Sequence, residues 1–297
     1  MGRARKLSRF SRHDQGWLSY YIPVDGNSWR RVLRAVRAAS HEALAEGLAS
    51  KWFYVFLDEG QGTMLRWRIQ VSSARRHAFL RSVRPRVLIR RPVSYVAETE
   101  RYGGRQALVH CESIFWISSE IASEVLEIRK WSYPSRLVLA IILQRFMLGE
   151  LARGLALRQP PVLETVRESW LRREAKTDLK RLDYLTQRIR RLAQEGFHLG
   201  PLIAFEKDLM TALQPKPRQF LAAAIQLKRV RRHLHPRFRS DDETDQEWSA
   251  RIVQSLIHML NNRLRIRNLD ESLIAEAMLL LSDRSRKRAK KHRVISK

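Results

Sequence analysis

The chain of 297 residues contains a single cysteine, Cys111, which excludes a disulfide framework and any cysteine-rich zinc site. Long apolar runs are also missing. The densest, Leu137 to Leu143, falls far short of the roughly 20 residues that a membrane-spanning helix needs. No cleavable signal precedes Trp17. The sequence has no nucleophile elbow, no phosphate-binding glycine loop and no metal-ligand pair at helical spacing. These absences predict a soluble, cytoplasmic protein with no membrane partner, no metal and no cofactor. Acidic residues are scarce too: 30 Asp and Glu face 57 Lys and Arg, a net charge of +27. A field of that sign draws nucleic acid, anionic membrane or an acidic peptide, and composition does not choose among them.

What is present is a globular composition, 44% hydrophobic and 29% charged, in a chain long enough to bury its own core. Residues 1–16 are basic and aperiodic and read as a flexible arm. Trp17 to Pro23 predicts a strand. A helix follows, capped by Asn27 or Ser28 and stopped by Gly47. Trp52 to Leu57 and Met64 to Val71 predict two strands joined by the turn Asp58 to Gly62. A short helix at Ser73 to Ser82 and a strand at Val87 to Val96 complete a strand-rich part, 17–103. From 104 to 283 the pattern is helical: Leu108 to Ile128, Ser135 to Leu157 ended by Pro160-Pro161, and one long helix from Val162 to Gln194. Further helices are expected at 201–213, 217–234, Gln246 to Arg265 behind the acidic cluster Asp241 to Asp245, and Asp270 to Leu281. The basic stretch 284–297 reads as a tail. The expectation is an α+β fold, a mixed or antiparallel sheet packed on a larger helical part, within one domain spanning 17–283.

Three segments carry residues suited to chemistry. In Leu65-Arg66-Trp67-Arg68-Ile69, strand alternation puts both arginines on one face and the apolar residues on the other. Paired guanidiniums suit a carboxylate ligand, and a merely solvated strand face fits as well. In Glu100-Arg101-Tyr102-Gly103-Gly104 a glycine turn opens a helix, which can offer an anion site near Arg101 or be only a turn. The helix around His258 has an apolar stripe, Ile252, Val253, Leu256, Ile257, Leu260 and Leu264. Arg251, Gln254, Ser255, His258, Asn261, Asn262 and Arg265 fall on its polar side. Histidine is the side chain best placed for proton transfer near neutral pH, although a lone surface histidine needs no function. His233 and His235 read as surface residues.

In chain order, Trp17-Leu18-Ser19-Tyr20, Trp52 to Asp58, Leu65-Arg66-Trp67-Arg68, Glu100 to Gly104, Glu112, Phe115, Ser119 and His258-Met259 with Asn262-Arg263-Leu264 resemble the SpaB-type C-terminal domain of class I lantibiotic dehydratases and thiopeptide maturation enzymes. The resemblance spans roughly residues 17–282 and carries no motif between about 150 and 245. It implies a standalone elimination domain that removes glutamate from glutamylated serine or threonine of a precursor peptide, leaving dehydroalanine or dehydrobutyrine. The partners it implies are a precursor peptide with an acidic leader and a separate tRNA-dependent glutamylating enzyme, with oligomerisation possible. The residues carried over are His258, Arg66, Arg68 and Arg101 as catalytic groups, with Arg66, Arg101 and Tyr102 binding substrate. The chain departs from the family at Tyr54 to Leu57, which lacks an arginine, and at Met64, Ala97 and Ser118-Ser119. The alternatives are a pyridine-forming [4+2] cycloaddition enzyme on the same fold, or a non-catalytic basic adaptor that binds RNA or a leader peptide through Arg3 to Arg12 and Arg284 to Arg293.

Overall fold

The computed structural model describes residues 16–26, 28–59, 62–83, 93–128, 130–176, 178–196, 216–231 and 243–295. The chain divides into two compact units, 1–99 and 100–297. In the first, an antiparallel sheet has the order β2-β3-β1-β4, with β1 at Trp17–Val24, β2 at Ala49–Glu59, β3 at Gly62–Val71 and β4 at Val93–Ser94. Helix α1, Ser28–Ala45, crosses from β1 to β2. The Ser28 hydroxyl accepts from the Asp25 N–H at 3.0 Å and donates to the Asp25 carbonyl at 2.9 Å, closing the turn before the helix. Gly47, at φ +66°, ends it as expected: Leu48 N–H reaches Ala43 and Gly47 N–H reaches Leu44, the paired bonds of a Schellman motif.

Directly opposed residues of antiparallel strands share a face. Leu65, Trp67 and Ile69 are fully buried on one face, opposite Ile22, Tyr20 and Leu18 of β1 and Phe56, Tyr54 and Trp52 of β2. The Trp67 indole N–H donates 3.0 Å to the buried Ser40 hydroxyl of α1, pinning helix to sheet. The expected short helix is a 3₁₀ turn, Ser73–Arg75, running into α2, Arg76–Val83. Of the strand expected over Val87 to Val96, only Val93–Ser94 pairs, and 84–92 lie outside the described residues.

The second unit is helical: α3 Arg105–Ile128, α4 Tyr133–Leu155, α5 Gln159–Ala175, α6 Leu179–Gly196, α7 Lys216–Arg231, α8 Asp245–Arg263 and α9 Asn268–Ile295. Helices α4 and α7 meet closely at Gly154, where a Cβ would lie 2.3 Å from the Cβ of Ala224. Three sequence expectations need correcting here. The prolines do not end α4; Ala156 in the left-handed region does, and Pro160-Pro161 occupy the first turn of α5, where a missing N–H costs nothing. The single helix expected from Val162 to Gln194 is two, because Lys176 turns to φ 57° and Asp178 caps a new start, its carboxylate accepting from Arg181 N–H at 3.1 Å. The basic stretch after Leu281 is not a separate tail, since α9 runs on to Ile295; Lys, Arg and Ala are good helix formers. Residues 1–15, the turn positions 60–61, Asn27, the helix expected at 201–213, and His233 and His235 fall outside the described residues. Among the described residues no helix is long and apolar enough to cross a membrane.

Candidate active site

The second unit holds a cavity of about 310 Å³ lined by Arg101, Ser169, Trp170, Arg173, Arg251, Gln254, Ser255 and His258. Its first wall is the turn before α3. Gly103 and Gly104 stand at φ 75° and 94°, and a Cβ on Gly103 would lie 2.5 Å from the ring of Trp248. Trp248 is fully buried on α8, so only glycine lets the turn lie against it. The turn leaves Arg101 facing α8, where its Nε donates 3.2 Å to the Ser255 hydroxyl.

Helix α8 begins with a capping box: Thr244 Oγ1 accepts from Glu247 N–H at 3.2 Å and the Glu247 carboxylate accepts from Thr244 N–H at 2.7 Å. The apolar stripe from Ile252 to Leu264 is buried as the periodicity predicts, which turns Arg251, Gln254, Ser255 and His258 into the cavity. Arg251 is gripped by both oxygens of Glu243, at 2.9 and 3.1 Å, and also donates to the Arg101 carbonyl at 3.3 Å. Gln254 donates 2.8 Å to Ser169 of α5. Arg173 of α5 lies with its guanidinium 5.2 Å from the Trp170 ring centroid and makes no ion pair among the described residues. Asn261 departs from the polar-side expectation: it is fully buried and its side-chain oxygen accepts 2.7 Å from Gln144 of α4.

His258 is held at both ring nitrogens. Its Nδ1 lies 2.7 Å from Glu271 Oε1 and its Nε2 lies 3.2 Å from the Asn262 amide nitrogen. An ionised carboxylate only accepts, so against Glu271 the ring nitrogen Nδ1 is the donor. Glu271, on α9, is 1% exposed while His258 is 18% exposed. The other Glu271 oxygen accepts 3.0 Å from the Trp170 indole N–H, and the Trp170 ring lies 5.0 Å from the imidazole. The cavity therefore sets an imidazole, held by a buried carboxylate, beside three guanidiniums, an arrangement that can move a proton next to a carboxylate ligand. Among the described residues no three His, Cys, Asp or Glu side chains gather to hold a metal ion. Cys111 is no nucleophile: it is buried, and burial with Glu112 alongside pushes its thiol far above the usual range.

The family model for the C-terminal part of lantibiotic biosynthesis dehydratases matches residues 17–281. The chain belongs to that family. No curated protein matches it at a significant level. Among solved structures, the tRNA-dependent lantibiotic dehydratase MibB from Microbispora sp. 107891 is similar at 18% identity and TM-score 0.62, covering 95% of this chain. This chain spans only 29% of the MibB chain. TsrL is similar at 14% identity and TM-score 0.57, over 90% of this chain and 95% of its own. The pyridine synthase TbtD from thiomuracin biosynthesis is similar at 15% and 0.57, over 89% and 96%. At these identities the likeness is one of fold.

Within this dehydratase C-terminal domain, Arg101 and His258 line one cavity. Tyr102 does not join them: it is buried at 3% exposure and packs edge-on against Phe115 at 5.1 Å, so the core claims the ring assigned to substrate binding. Arg66 and Arg68 lie in the first unit and share a face of β3. Arg66 sits 4.6 Å from the Tyr21 ring centroid, and Arg68 lies 4.5 Å from Tyr95 and 5.4 Å from Phe53. The face is aromatic and half-buried rather than simply solvated. Glu271, Trp170, Ser169 and Arg173 carry no sequence motif that marks them for the cavity. The residues of α5 lie in the stretch without motifs. Glu271 was visible only as an acid beside Asp270 in the first turn of a helix, where it reads as a dipole partner. Arg263 and Ser119, both in the resembling motifs, meet in the core, with Arg263 Nε donating 2.7 Å to the Ser119 hydroxyl.

Proposed function

We propose that this domain eliminates glutamate from glutamylated serine or threonine of a ribosomally made peptide. The observation that carries the reading is the imidazole of His258, oriented by a buried carboxylate in a cavity whose remaining charged walls are Arg101, Arg173 and Arg251. The reaction needs those parts. His258 Nε2 takes the Cα proton, the C–H electron pair forms the Cα=Cβ bond, the Cβ–O bond breaks, and glutamate departs as a carboxylate. Arg101 and Arg173 suit the carboxylates of the glutamate and the negative charge that develops on the adjacent carbonyl. Arg251 is already gripped by Glu243 and serves as wall rather than ligand. Arg66 and Arg68 are proposed as further carboxylate-binding groups, on the strength of the sequence resemblance. The ester is the product of a tRNA-dependent glutamylating enzyme, and the surplus of positive charge suits a precursor with an acidic leader.

The test is incubation with a synthetic core peptide carrying one glutamylated serine, followed by mass spectrometry. Loss of glutamate with dehydroalanine left behind is the expected result, and it should fail in His258→Ala. An intact ester after incubation with the wild-type protein overturns the reading. The second reading, a pyridine-forming cycloaddition, is favoured by the fold likeness to the pyridine synthase TbtD. A peptide already holding two dehydroalanines separates the two: closure to a pyridine macrocycle would select it.

A further inference from the structure

We infer that Glu271 and Trp170 are positioning residues that fix His258 as the Nδ1–H tautomer and so keep its Nε2 lone pair available as a base. The role of the base rests on the elimination reading above; the tautomer does not.

The argument is one of donors and acceptors. Trp170 offers an indole N–H and nothing else, so the oxygen it meets must accept. Glu271 is acceptor at both oxygens when ionised, and it lies 2.7 Å from His258 Nδ1, which must therefore donate. The Asn262 amide nitrogen at 3.2 Å from Nε2 closes the chain in the same sense, donating to a lone pair. Four side chains from three helices, α5, α8 and α9, thus agree on one placement of one proton. Glu271 is buried at 1% exposure and cannot exchange these bonds for water. When Nε2 takes a proton, Asn262 gives way to it, and the imidazolium that forms lies against the Glu271 carboxylate.

The isosteric change Glu271→Gln turns this into a sharp test. In the variant the indole N–H of Trp170 still demands an acceptor, so the glutamine oxygen faces Trp170 and its NH₂ faces His258 Nδ1. Nδ1 must then accept, and the ring proton moves to Nε2. The expected loss in kcat is about 10²- to 10⁴-fold, the range associated with general-base function and a wrong tautomer, with KM changed little. Replacing Trp170 as well removes the demand: in Trp170→Phe/Glu271→Gln the amide is released to turn over and accept from Nδ1–H. The double variant should therefore recover part of the activity that the single Glu271→Gln loses. A residue that merely supported the fold would give no such rescue.

The measurement is ¹⁵N NMR of ring-labelled histidines on the whole protein without substrate. The chain has nine histidines, and the His258 signals are those missing from His258→Gln. The wild type should show Nδ1 protonated and Nε2 bare, Glu271→Gln the reverse, and the double variant a return towards the wild-type pattern. Nε2 protonated in the wild type, or an unchanged tautomer in Glu271→Gln, would overturn the proposal. If the tautomers switch as stated while the wild type leaves the glutamyl ester intact, the positioning holds and the elimination reading fails. Should Glu271→Gln not fold, Glu271→Asp serves: the shortened carboxylate still enforces Nδ1–H when it reaches the ring, and retention of that tautomer is required.

Discussion

The two units hold their arginines by overlapping means: rings in both, and in the helical unit also a carboxylate and serine hydroxyls. On the sheet, Arg66 and Arg68 rest over the rings of Tyr21, Phe53 and Tyr95, and among the described residues no carboxylate pairs with Arg68. In the helical unit, Arg251 is clasped by Glu243, Arg101 is tied to Ser255, and Arg263 is sunk against Ser119 and 5.5 Å from the Phe115 ring centroid. An aromatic face fixes a guanidinium without cancelling its charge; a carboxylate does both. Arg68 therefore keeps its full attraction for an anionic ligand, as Arg173 does over Trp170, while the helical unit commits the charge of Arg251 to building a wall. The difference predicts which substitutions cost stability and which cost binding.

The largest stability effect belongs to Arg263, which is fully buried. Arg263→Ala removes a long side chain from the core and breaks its bond to the Ser119 hydroxyl, at about 3–5 kcal/mol by denaturant unfolding. A loss under 1 kcal/mol would mean that Arg263 is not the structural member of the set. Next comes Gly103→Ala. The left-handed backbone costs an alanine about 1–2 kcal/mol, and the clash of its Cβ with Trp248 adds about 1–3 kcal/mol. Because that turn presents Arg101, under the proposed function glutamate elimination should fall along with stability.

On the sheet the balance reverses. Arg68→Met keeps an apolar stem on the aromatic face but deletes the guanidinium that lies over the rings, so stability should fall only about 0.5–1 kcal/mol. Under the proposed function, binding of a glutamylated peptide should weaken at least about ten-fold, the scale of losing a charge-assisted hydrogen bond. An equal loss of stability in Arg68→Met and Arg263→Ala would break the comparison.

How much of this was legible depended on the kind of signal. The sheet was readable because alternation is local: Leu65, Trp67 and Ile69 declare their face within five residues, and Gly47 declares the end of α1. The buried stripe of α8 was equally open to periodicity. The break at Lys176 was not, since three residues of a charged amphipathic run carried it, and neither was the continuation of α9, where nothing apolar marks a stop. Arg101 and His258 were found through motif order. Glu271 and Trp170 were not, because what gives them meaning is contact across helices, 13 and 88 positions from His258, and no spacing rule reports that. Tyr102 shows the converse: a residue inside a motif can be there to anchor the turn.

The smallest expected effect tests the clasp itself. Arg251 and Glu243 are partly open to solvent, at 37% and 13% side-chain exposure, so their pair should contribute less than about 1 kcal/mol. Glu243→Gln keeps the shape and one of the two contacts, since only its amide oxygen can accept, while freeing the charge of Arg251. If the pair is a wall, stability drops by only about 0.5 kcal/mol, and the drop shrinks further in 1 M salt, where the screening length is about 3 Å. Under the proposed function the released charge should then act on the ligand: a glutamylated peptide should bind a few-fold more tightly to Glu243→Gln at low salt, and equally at high salt. Weaker binding would show that Glu243 orients Arg251 for the substrate rather than neutralising it, and Arg251 would then join Arg101 and Arg173 as a ligand group.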